Sequence, residues 1–323
     1  MAHPDDVRPR LRWGHRLRNA AGVLSVAVVA TVGLSGCLNF TKSPDAHIVG
    51  GSAAGSGAST ATESASAESI GFDARRVVNA ALPAELTTYI RGRGGNAAVS
   101  VLDRATGAGV AINANRTFQT ASIVKFDILA TRLYQHQNSK TSMSSAEKNL
   151  AFKMITQSDN NAASALFAMD GRVAGLTSAN QTFGLKATHV ASAWGLTHTT
   201  PADQVRLLTS VMDPKGPITE SNRNYLLSLM SKVESDQRWG VPAAAISAAT
   251  GVYNKNGWDT MTAYGGQWGD NSIGRILEPG HDWLVAVMSN YNRTDNAGHT
   301  LDGKIATLAV GGLRFQAQLA EAS

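Results

Sequence analysis

A single cysteine, Cys37, stands among 323 residues, and it limits the fold before any helix or strand is considered. No intramolecular disulfide can form, and thiolate metal sites are excluded. Any folded part must therefore be held by its own apolar core. From Lys42 to Ser69 the chain cannot supply one, because the tract "GGSAAGSGASTATESASAES" lacks the apolar surface needed to order itself. This reads as a flexible tether. Residues 70–323 suit one α/β domain, since single domains commonly reach about 200–250 residues.

The residues before the tether read as an export signal. Arg8, Arg10, Arg12, Arg16 and Arg18 precede the uncharged run Ala20 to Leu34, and "SGC" follows, ending at Cys37. That is a basic region, an apolar region and a small-residue cleavage site. The apolar run falls short of the about 20 residues that span a membrane comfortably, and an uncleaved signal anchor is the alternative. Leu34-Ser35-Gly36-Cys37 resembles the lipobox of bacterial lipoproteins. The resemblance implies removal of residues 1–36, lipidation of Cys37, a tether over 37–69 and an extracytoplasmic domain anchored to the cell membrane. Of the formal net charge of +5, five arginines against Asp5 and Asp6 in the signal account for +3, leaving +2. The basic balance therefore belongs mostly to the signal and gives no argument for nucleic acid.

Within the domain, Ala74 to about Arg91 has a helical pattern, and its interior Pro83 predicts a break or kink. β-rich runs flank the turn residues Arg104 to Gly107 and predict a hairpin. Helical patterns follow over Ile123–Gln137, Ala146–Thr156, Ala162–Met169, Ala202–Met212 and Glu220–Val233. Thr200-Pro201 marks one start, a capping residue before a proline at the first helical position. The segments "VYNKNGW", "SIGRILEPG" and "WLVAVMSN" read as short strands, and His299 to about Ala320 as a last helix. Together these predict an α/β (α+β) fold, with a sheet assembled from both chain ends and helices around it.

The chemistry centres on "TFQTASIVKFDILATRL", Thr117 to Leu133. A serine alcohol is a poor nucleophile until a base takes its proton. Residues three apart share a helix face, so Ser122 and Lys125 would point the same way. Burial or a neighbouring cation would favour a neutral, basic lysine. At a helix start the Ser122 N–H would also be free to hold an oxyanion. Ser-x-x-Lys alone is a weak signal, because Ser145 to Lys148 repeats it where Ser144 and Glu147 form a capping-box pattern.

Two further motifs raise it. Ser158-Asp159-Asn160 lies between helical patterns, and Lys255-Asn256-Gly257 lies in a predicted strand. In this order the three motifs resemble the active-site set of the class A β-lactamases and the related penicillin-binding DD-peptidases. The resemblance runs from about Ala74 to Ala320. It implies that Ser122 attacks an acyl carbonyl, Lys125 helps to deprotonate it, and Ser158 relays a proton to the departing nitrogen. Asn160 would hold a substrate amide, and Lys255 would supply positive charge near a substrate carboxylate. The N–H groups of Ser122 and Trp258 would form the oxyanion hole. The ligand would be a β-lactam or a D-amino-acid peptide of peptidoglycan; no cofactor or metal is implied, and a monomer is expected.

Three departures bear on activity. Asn256 stands where the family has Ser or Thr, so an amide would replace a hydroxyl contact to a substrate carboxylate, and Gly257 would keep its place beside it. No Glu occurs from Asn161 to Thr219, where the family carries the glutamate that activates the deacylating water, so β-lactam turnover should be weak; His198 is the substitute weighed. The short segment between Ser122 and Ser158 implies a more open cleft. A binding protein that performs no chemistry is the alternative. The eight His residues show no metal-ligand spacing. Trp239, Trp258, Trp268 and Trp283 could stack on sugars, or serve as core and cleft wall.

Overall fold

A computed structural model describes residues 81–321. The signal, Cys37, the tether and residues 70–80 lie outside the described residues. The strands are β1 (Ala97–Asp103), β2 (Gly109–Ile112), β3 (Phe118–Gln119), β4 (His198–Thr199), β5 (Gly251–Met261), β6 (Gln267–Glu278) and β7 (His281–Asn292). The helices are α1 (Ala81–Gly92), α2 (Val124–Asn138), α3 (Ser145–Thr156), α4 (Asn160–Met169), α5 (Arg172–Thr182), α6 (Pro201–Met212), α7 (Glu220–Met230) and α8 (Asp295–Glu321). Among the described residues no helix is long and apolar enough to cross a membrane.

Five strands form one sheet in the order β2-β1-β7-β6-β5, with every neighbouring pair antiparallel. The two ends of the domain meet where β1 pairs with β7 over Ala97–Asp103 and Trp283–Ser289. The fold is thus the α/β class that the sequence implied, an antiparallel sheet drawn from both chain ends with a helical subdomain between. The predicted hairpin is present, and Thr106 Oγ1 donates to Asp103 Oδ2 at 2.7 Å across its turn.

Alternation along the strands explains the two apolar layers. Val99, Val101, Trp283, Val285 and Val287 face a cluster with Leu82, Leu86, Ile305, Ala309 and Leu313 of α1 and α8. Their neighbours Ala98, Leu102, Leu284, Ala286 and Met288 face the opposite cluster, which includes Phe126, Leu129, Leu166 and Leu208 of the helical subdomain. Successive strand side chains point to opposite faces, so a strand covered on both sides is largely apolar on both. β1 is accordingly buried at every position.

Most helix signals hold. Ser144 and Glu147 make the capping box, so the second Ser-x-x-Lys is structural. Thr200 Oγ1 accepts from Asp203 N at 3.1 Å, with Pro201 at the first position of α6. Pro83 lies within α1, and the stretch from Ala74 that was expected to lead into it falls outside the described residues. Helix α5 has no counterpart in the sequence reading. It is polar, with Leu176 its only large buried apolar residue, and starts after Gly171 at φ +89°. The β3–β4 pair was also unforeseen, being two residues long on each side.

Replacing Thr200 by Ala removes the α6 cap, and the unfolding free energy should fall by about 1 kcal/mol. Urea denaturation should show a lower midpoint at unchanged slope.

Candidate active site

The first requirement is a chain conformation that presents Ser122. It sits in a single 3-10 turn, Ala121–Ile123, that leads into α2, and Ala121 before it is held at φ +43°. Ser158, at the end of the α3–α4 loop, is held at φ +56°. Left-handed backbone at a non-glycine residue costs about 1–3 kcal/mol and persists only where the surroundings enforce it. Both strained positions converge on one amine.

That amine is Lys125 Nζ. It lies 2.8 Å from Ser122 Oγ, 2.6 Å from the Ser158 carbonyl oxygen, 3.1 Å from Ser158 Oγ and 2.7 Å from Asn160 Oδ1. Lys125 is fully buried. Burial pushes its pKa down to about 7, against the opposing pull of the nearby Asp159 carboxylate. Asp159 is itself the cap of α4, accepting from Ala162 N at 2.7 Å, which fixes Asn160 at the first position of that helix.

The second amine enters from β5. Lys255 Nζ is 3.0 Å from Ser158 Oγ and donates to the Asn256 carbonyl at 2.7 Å. The Ser158 hydroxyl therefore bridges two lysines. Burial, and then repulsion from Lys125, push the Lys255 pKa well below its ordinary value. The positive charge expected of Lys255 is thus disfavoured in the free protein, because two cations cannot share a buried site cheaply.

Gly257 has a steric reason. A Cβ there would stand 2.5 Å from Ser122 N, 2.6 Å from Ile123 N and 2.7 Å from the Thr120 carbonyl oxygen. Strand β5 can approach the Ser122 turn only without a side chain at this point. Trp258 follows, half-buried and edge-to-face with Trp239 at 5.8 Å. Its cross-strand partner is Asp270.

Asn256 departs from the expected contact. Its Nδ2 donates to the carbonyls of Gln237 at 2.9 Å and Trp239 at 3.0 Å, and the side chain is fully buried. The amide nitrogen ties β5 to that loop and is not free for a ligand carboxylate. His198 stands exposed on β4, where its main chain pairs with His189. Of the four tryptophans, Trp283 is wholly core, its indole N–H bonded to Glu278.

Two residues of the site escaped the sequence reading. Asn271 on β6, opposite Gly257, donates from Nδ2 to the carbonyls of Gln119 at 2.9 Å and Thr120 at 3.2 Å, holding the approach to Ser122. The polar run Asp270-Asn271-Ser272 inside a strand was the available signal. Trp194 lies with its ring 4.9 Å from Lys125 Nζ, and nothing in a lone tryptophan of a polar loop marked it.

A half-buried serine hydroxyl beside a fully buried lysine amine, a second serine bridging two lysines and a strand packed tightly against the Ser122 turn make up the site. Residues 137–313 match the model of the Beta-lactamase enzyme family, and the chain belongs to that family. Solved structures with the same fold include a variant of PBP-A in acyl-enzyme complex with penicillin G. That likeness has a TM-score of 0.63 at 19% identity, over 72% of this chain and 96% of that one. A variant of a reconstructed ancestral class A β-lactamase of Gram-negative bacteria gives 0.63 at 21% identity, over 73% and 100%. Among curated proteins, "Putative lipoprotein LppW" of Mycobacterium tuberculosis is 26% identical over 204 residues, which is 61% of this chain. The match spans 63% of that relative's length.

Alanine at Gly257 would force backbone apart from backbone, and unfolding stability should drop by about 1–3 kcal/mol. The same change at Gly92, where a methyl meets nothing within 4 Å, should cost nothing in a parallel urea titration.

Proposed function

We propose that this chain is an exported, lipid-anchored serine hydrolase that forms an acyl-enzyme at Ser122 on β-lactams or on D-amino-acid peptides of the cell wall, and releases the acyl group slowly. The observation that carries it is the buried Lys125 amine, 2.8 Å from the Ser122 hydroxyl and with its pKa lowered to about 7. A general base works best with a pKa near the operating pH.

In this reading Ser122 Oγ attacks the carbonyl carbon and its proton passes to Lys125 Nζ. The oxyanion is held by the main-chain N–H groups of Ser122 and Trp258. Collapse breaks the C–N bond, and the proton returns from Lys125 through the Ser158 hydroxyl to the departing nitrogen. An ester on Ser122 remains. Lys255 holds Ser158 in place, and an arriving ligand carboxylate would favour its charged form again. Asn160 holds Lys125 and is placed to meet a substrate amide. Hydrolysis of the ester needs a water-activating base, and the 161–219 segment carries no glutamate. Anchoring through Cys37 is supported by the lipobox-like sequence and by the lipoprotein relative's name.

The decisive measurement is intact mass of the full chain after mixing with a penicillin and, separately, a cephalosporin. A mass gain that persists for many minutes and vanishes in Ser122→Ala is the expected outcome. A gain unchanged in that variant overturns the assignment of Ser122. Binding without any covalent gain, to these drugs or to cell-wall stem peptides, would select a non-catalytic envelope binding protein, the reading that the engaged Asn256 amide favours.

The pH dependence follows from the sign of the Lys125 shift. A lowered lysine pKa means the amine is neutral, hence basic, above about 7 and protonated below it. The acylation rate should therefore be level above that pH and fall about tenfold per unit on the acid side, as stopped reactions analysed by mass would record.

A further inference from the structure

Helix α4 carries two polar residues one turn apart. Asn160 accepts from Lys125 Nζ, and Ser164 Oγ accepts from the Trp194 indole N–H at 3.1 Å. One helix face thus holds the lysine and also the ring that lies over it. The turn bearing Trp194 is fixed from its other side, where Thr197 receives the Thr120 N–H at 2.8 Å just before the Ser122 turn. Thr197 Oγ1 also accepts from Ala191 N at 3.1 Å.

The ring is therefore fastened at both ends and sits 4.9 Å from the ammonium position. Lys125 already has oxygen neighbours in Ser122, Ser158 and Asn160. Trp194 closes a further side with an aromatic face that water cannot use as a donor. Ala191, Ser192, Ala193, Gly195, Leu196 and Thr197 bring no titratable group with it. The charged groups acting on Lys125 come from elsewhere: Asp159 at the start of α4 and Lys255 on β5.

An aromatic face has two opposed effects on an amine. It attracts the cation, and it removes water, which destabilises the cation. Here burial is the larger influence on Lys125, and Trp194, which lies over the amine, is itself only half-buried. Its removal would open that side to solvent.

We propose that Trp194 is a positioning residue that acts through Lys125, excluding water from the amine and so setting the pH range in which Lys125 serves as the base for Ser122. The role as base rests on the reading given above; the exclusion of water does not.

The test follows the Lys125 13Cε resonance with pH in the full chain labelled at lysine, with Lys125→Arg identifying the signal. Wild type, Trp194→Ala and Trp194→Phe are compared, each first checked by thermal melting. In Trp194→Ala the titration midpoint should rise by about one pH unit, and the acid limb of Ser122 acylation should move with it. Trp194→Phe should restore the wild-type midpoint, which a merely structural role would not do. An unmoved midpoint in Trp194→Ala overturns the proposal, and so does a lowered one, which would mean that attraction of the cation outweighs exclusion of water. If the midpoint rises while no variant is acylated, the hydrolase reading fails, and the exclusion of water from Lys125 by Trp194 stands.

Discussion

The placement of one amine governs the rest of this molecule. Lys125 is taken out of water one helical turn after Ser122, and a buried amine is tolerable only if it is neutral or well supplied with acceptors. The structure does both: oxygen atoms of Ser122, Ser158 and Asn160 lie within 2.8 Å of Nζ, and burial lowers its proton affinity. These acceptors come from separate segments, so the helical subdomain must dock against α2 in one way only. The left-handed backbone at Ala121 and Ser158 is part of the cost of that docking.

The sheet supplies the opposing wall. β5 can reach the Ser122 turn because Gly257 has no side chain, and Asn271 on the neighbouring strand holds the Gln119 and Thr120 carbonyls at the same height. Lys255 then reaches Ser158 from the sheet side. Each partner in this wall is set by the antiparallel register of β5 and β6, where a slip of one residue would turn Lys255 away from the site.

Much of this was legible beforehand, and the reason is local encoding. Ser122 and Lys125 share a helix turn, Asp159 caps the helix that carries Asn160, and Thr200-Pro201 announces α6; each is written in a few consecutive residues. The strands β1 and β7 were legible as β-rich runs, though their burial on both faces was not. What stayed hidden depends on contacts between distant segments. Asn256 looked like a ligand contact until its partners Gln237 and Trp239 were in view. Trp194 gains its meaning only from Lys125, and the short β3–β4 pair exists only because two loops meet. Helix α5, largely polar, offered too little periodicity to be read.

The strand order has a consequence for how the protein comes into being. β7, the centre of the sheet, is encoded by residues 281–292, yet it must receive β1, encoded by residues 97–103, along one edge. Contacts of such sequence separation close late, after a large loss of chain entropy. Until residues 281–292 have been synthesised, β1 has no central strand to join, and neither apolar layer can close. The sheet therefore stays open until its own middle strand emerges, about 180 residues after the first strand that it must receive.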